Sequence, residues 1–183
     1  MLRAAGAPQR ASLAGIALAL RALTRVLGRR VHAGELVFAA GCKPRLAQES
    51  EPLAAAAGSA PLAVAGPRES EPPDFSISHA ASWVGCAALG RGRVGFDVEA
   101  QRAPRSADWV VCEALLKATG AGIGAAREVS ALDVRADCVD WRGERWHVRR
   151  LDVFAGACAC LVSSIAVRQL QVQAIALTEL FDP

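Results

Sequence analysis

Residues 75–119 read FSISHAASWVGCAALGRGRVGFDVEAQRAPRSADWVVCEALLKAT, and the fold turns on this stretch. Ser78-His79 closes a short apolar run. A second run, Trp83 to Leu89, leads through Gly90, Gly92 and Arg93 into a third, Val94 to Val98. That last run carries Asp97 and, one residue further on, Glu99. Residues two apart on a strand share a face, so both carboxylates can converge on one point. A helix-like stretch opens at Trp109 and holds Glu113 and Lys117 at i and i+4, one turn apart on a single face. It can carry Glu113 to the same point.

Three carboxylates meeting there form an incomplete oxygen cage. Mg²⁺ suits such a cage, because it keeps several waters and shares oxygens with phosphate substrates. Lys117 is then placed to touch those phosphates. The same residue types also fit a plainer arrangement, with Asp97 and Glu99 on the wet face of an edge strand and Glu113–Lys117 as a helix ion pair.

The segments FSISHA (75–80), GFDVE (95–99) and W-x-x-x-E-A-L-L-K-A (109–118), with GCKPRL (41–46) upstream, resemble the signature of the 4′-phosphopantetheinyl transferases. The likeness is to the broad-specificity, pseudo-dimeric kind and covers the chain from about Arg10 onward. Those enzymes move phosphopantetheine from coenzyme A to a serine of a carrier protein. The resemblance implies an α+β fold of two similar lobes in a pseudo-twofold arrangement, each a helix packed on a small, mostly antiparallel sheet. The lobes would be residues 1–99 and 100–183, with the site between them. It implies Mg²⁺ on Asp97, Glu99 and Glu113, and coenzyme A phosphates near Lys43, Ser78, His79 and Arg10. Glu113, or a metal-linked water, would take the serine proton, and Lys117 would steady the phosphoryl oxygens. The partners would be coenzyme A and an apo acyl or peptidyl carrier protein, met by a monomer. Two departures stand out. The family pattern has a lysine just before the helix glutamate, where this chain has Cys112, and the 100–108 linker is much shorter than usual. Either leaves room for a weakened transferase, or for a relative that binds coenzyme A or a carrier without transfer.

At 183 residues and 52% hydrophobic, the chain can bury a core in one compact unit or two small lobes. Its net charge of +3 is uneven: no acid precedes Glu35, whereas Arg3, Arg10, Arg21, Arg25, Arg29 and Arg30 do. A cationic end suits a polyanion. Lys43 and Lys117 are the sole lysines, and both fall in the family-like motifs. The six cysteines form no C-x-x-C pair, which argues against a thiolate metal site or a disulfide framework and fits a reducing cytoplasm. No apolar run has transmembrane length, and no basic–aromatic alternation supports nucleic-acid binding.

Helical spacing of Leu13, Ile16, Leu20, Leu23 and Leu27 predicts a helix from about Arg10 to Leu27 that stops at Gly28. Glu35–Phe38 and Leu62–Val64 read as short strands, and Phe75–Ser78 as another that ends at Ser78-His79. The second helix is expected over Trp109–Ala118, with Asp108 as its N-cap and Val111, Leu115 and Leu116 buried. Beyond Gly124 four strands are expected: Val129–Val134, Arg145–Val153, Ala157–Ser163 and Val172–Leu177.

Overall fold

A computed structural model describes residues 7–47, 71–101, 106–134, 136–152 and 156–180; the strand expected at 62–64 lies outside them. The chain is a mixed helix-and-sheet protein whose paired strands are all antiparallel. Helix α1 spans Ala7–Leu27. Strands β1 (Leu36–Val37) and β2 (Arg45–Leu46) pair as a short ribbon. Strands β3 (Asp74–Ala80) and β4 (Trp83–Leu89) form a hairpin of seven residues a side. Strand β5 (Val94–Ala100) leads to α2 (Ser106–Thr119) and the short α3 (Ala126–Val129). Strands β6 (Cys138–Trp141), β7 (Glu144–Leu151) and β8 (Ala157–Ser163) complete a sheet ordered β5-β8-β7-β6. A last turn of helix, α4, covers Leu177–Leu180.

Each long helix covers one of these layers. On α1, Ala19 and Leu23 are fully buried with Phe75 of β3, and Ile16, Leu20 and Leu27 pack beside them. Leu13 falls off that face and is exposed, although its spacing had placed it there. On α2, Val110, Val111, Ala114 and Leu115 are all at most 1% exposed, packed against Trp146, Val148, Cys160 and Val162 of the four-stranded sheet. Removing that much apolar surface from water is the main stabilising term for a sheet this small. A third cluster joins the layers. Phe96 and Val98 of β5 and Ala157 and Ala159 of β8 meet Ala80, Trp83 and Ala87 of the hairpin.

The hairpin and the sheet meet at a seam without a main-chain ladder. β3 runs parallel to β5 at a constant offset of twenty residues, and its alternate side chains make the bonds. The Val94 amide donates to Asp74 Oδ2 (2.7 Å), Ser76 Oγ donates to the Phe96 carbonyl (3.4 Å), and the Val98 amide donates to Ser78 Oγ (3.4 Å). Phe75 and Ser76 are both buried, so β3 is covered on both faces.

Three expectations need correction, and one strand was missed. The second helix begins at Ser106, so Asp108 lies within its first turn instead of capping it. Val129–Val134 is no strand: Val129 closes α3, and turns follow, with the Ser130 amide bonded to Ala126 O and the Leu132 amide to Val129 O. Val129 and Val134 are buried in the α2 core, so burial alone produced the strand-like pattern. Val172–Leu177 is also no strand. Val172 and Leu177 are exposed and their segment has no sheet partner among the described residues; Leu177 instead opens α4, which rests on α1. Conversely, β6 was not expected. It joins β7 through the two-residue turn Arg142-Gly143, both at positive φ (51° and 78°), the geometry that matches strand twist in tight hairpins.

Residues 164–180 return from the sheet to α1. Ser164 exchanges bonds with the Arg93 backbone, the Arg149 guanidinium donates to the Val167 carbonyl, and Arg25 donates to Gln173 Oε1.

Candidate functional site

Gly95 sets the distance between β5 and α2. A Cβ at that position would lie 1.8 Å from the Ala114 carbonyl oxygen and 2.4 Å from the Ala118 nitrogen, so only a bare backbone lets the helix sit so low. Gly95, Asp97 and Glu99 alternate along one face of β5, the face α2 covers. Glu113, beside Ala114, is thereby brought over the two acids. One carboxylate oxygen from each of Asp97, Glu99 and Glu113 lies within 4.8 Å of the others.

Asp97 is the buried member, at 1% exposure. Its Oδ1 accepts from Ser78 Oγ at 2.6 Å and from Lys117 Nζ at 2.5 Å, and Lys117 Nζ is also 3.0 Å from Ser78 Oγ. Its Oδ2 is buried with no hydrogen-bond partner among the described residues. Glu99 and Glu113 are half-buried. Burial raises the proton affinity of Glu113 above the ordinary carboxylate value, and the charge of Asp97 raises it further; Lys117 opposes the shift and Glu99 adds to it. An unpartnered buried oxygen beside two converging carboxylates is a donor set that could hold a hard divalent cation.

The other expected residues are placed as follows. Lys43 is held away from the carboxylates, where its ammonium donates to Asp74 Oδ2 and to the Val94 carbonyl (2.6 Å). Val94 precedes Asp97 by three residues, roughly 10 Å along the strand. Burial pushes the proton affinity of Lys43 down, and Asp74 partly restores it. His79 follows Ser78 on β3 and therefore points to the opposite side, where it is exposed. Arg10 lies in α1, and its side chain falls outside those described. Cys112 is buried in the α2 core; burial raises its proton affinity, with Asp108 adding to the effect, so the thiol stays neutral.

Asp74 and Ser76 were not singled out from the sequence. The signal was there in the alternation of Asp74, Ser76 and Ser78 with Phe75 and Ile77, a pattern that reads as one wet face of a strand. That face meets β5 instead of water.

Comparison of the chain with protein-family models and with curated proteins returns no match. Among the described residues, no helix is long and apolar enough to cross a membrane.

Proposed function

We propose that the chain is a 4′-phosphopantetheinyl transferase that modifies a serine of an acyl or peptidyl carrier protein. The observation that carries this reading is the convergence of Asp97, Glu99 and Glu113 with Lys117 at one point, the residues the resemblance singles out. The related packing of α1 on β3–β4 and of α2 on β5–β8 supports a pseudo-twofold pair of lobes, with the carboxylates beside the seam.

Asp97, Glu99 and Glu113 would hold Mg²⁺, which supplies charge neutralisation on a bound pyrophosphate. Glu113 accepts the proton of the carrier serine at a carboxylate oxygen. The serine oxygen bonds to the β-phosphorus of coenzyme A, the bond to the bridging oxygen breaks, and 3′,5′-ADP leaves. Lys117 donates to the phosphoryl oxygens as charge gathers on them. Arg10, and His79 from the opposite face of β3, are the candidates for the remaining phosphates. Lys43 is spent on Asp74 and Val94, so its part is to hold the start of β5.

Intact-protein mass spectrometry tests the reading. The chain, Mg²⁺ and coenzyme A are mixed with a panel of apo carrier proteins, and Asp97→Ala serves as control. A carrier should gain one phosphopantetheine with the native chain and none with the variant. A second reading, binding without transfer, is favoured by Cys112: the thiol is packed in the core where the motif has an ammonium. Coenzyme A binding with every carrier left unmodified would select it.

A further inference from the structure

The Lys117 ammonium is bonded to the same carboxylate that the candidate cation site depends on. It lies 2.5 Å from Asp97 Oδ1, and its side chain is 31% exposed where that of Asp97 is 1% exposed. A lysine this accessible need not point inward; the three clustered carboxylates attract it. A divalent cation shared by Asp97, Glu99 and Glu113 would set two further positive charges close to that ammonium, at a carboxylate that is itself buried. The two cations therefore compete for one carboxylate. Ser78 is placed differently. Its hydroxyl donates to Oδ1 at 2.6 Å and accepts from the Val98 amide, so it keeps the carboxylate oriented whichever cation is present.

We propose that Lys117 is an exchangeable counter-cation: it closes Asp97 until a divalent cation is taken up, and that uptake releases its ammonium toward the anionic substrate. The proposal rests on the metal reading above but not on the transfer reaction. The exchange sets an order of events. Cation binding frees the group that holds phosphate, so cation and phosphate reinforce each other through one side chain, a coupling that is reciprocal by necessity. Lysine suits this role better than arginine, because a compact point charge on a flexible stem can move between partners without rebuilding a bidentate fork.

The lysine count provides the test. Lys43 and Lys117 are the two lysines of the chain, and Lys43 lies well away from the carboxylates, pinned to Asp74 and the Val94 carbonyl. The full chain is acetylated with an N-hydroxysuccinimide ester in EDTA and again in Mg²⁺ or Mn²⁺, and each lysine is quantified by peptide mass spectrometry. Calorimetry on the same samples reports cation binding. The expected result is a several-fold rise in Lys117 acetylation on cation addition, with Lys43 unchanged. Lys117→Met, which removes the competitor, should bind Mn²⁺ about tenfold more tightly than the native chain. If calorimetry shows a bound cation while Lys117 labelling stays level or falls, the exchange is wrong and the metal site stands. If neither cation binds, the exchange and the metal reading fall together.

Discussion

Single side chains carry the most direct tests. The ammonium of Lys43 neutralises Asp74 and caps the Val94 carbonyl in a half-buried setting, so Lys43→Met would leave the carboxylate with backbone amides but no cation. Breaking such a pair costs about 2–4 kcal/mol, near the range for buried ion pairs with one member removed. A loss of that size in urea unfolding is expected. Should the variant keep its stability and lose coenzyme A affinity instead, Lys43 would be a phosphate ligand after all. Glu113 makes a pH prediction. Its proton is held more tightly in the folded chain than in the unfolded one, so folding gains from protonation. That gain is complete below the ordinary carboxylate value near 4.5 and is lost as pH rises through the raised folded value. Urea melts in EDTA should show Glu113→Gln losing less stability than the native chain as pH rises across that window. Parallel curves for the two proteins would refute it.

At the scale of elements, Gly95 governs the contact of α2 with β5. Gly95→Ala places a methyl carbon on the Ala114 carbonyl, a clash with helix backbone that no side-chain rotation relieves. A loss of about 3 kcal/mol or more is expected from overpacking at a site that cannot give. Thermal unfolding checks it, and calorimetry should show weakened cation binding in whatever folds, because Glu113 rides on the displaced helix. The elements were unevenly legible in the sequence. α1, α2, β3, β5 and β8 follow from apolar periodicity and flanking glycines, and the acidic trio follows from strand and helix spacing. The stretch at 129–134 misled because its buried valines belong to turns, and β6 was hidden because Cys138, Val139 and Trp141 flank one polar residue in a four-residue run. The tie between Lys43 and Asp74 was not legible, since nothing in spacing tells which loop lysine a strand acid will meet.

For the whole molecule, the cluster of Phe96, Val98, Ala157 and Ala159 with Ala80, Trp83 and Ala87 belongs to both the hairpin and the sheet. Neither layer can open without exposing that shared surface. Far-UV circular dichroism and tryptophan fluorescence should therefore trace one coincident urea transition. Separate midpoints would mean that the layers are independent.

The side-chain seam has a further consequence. β5 would otherwise stand as the outermost strand of its sheet, a row of open amides and carbonyls that invites strands from other copies. Asp74, Ser76 and Ser78 occupy those positions with short polar groups, so the margin is sealed against self-association without an added strand. A chain with so many apolar residues keeps an acid-bearing strand at the margin of its sheet, and Ser78, which orients Asp97, also helps keep that strand from nucleating aggregates.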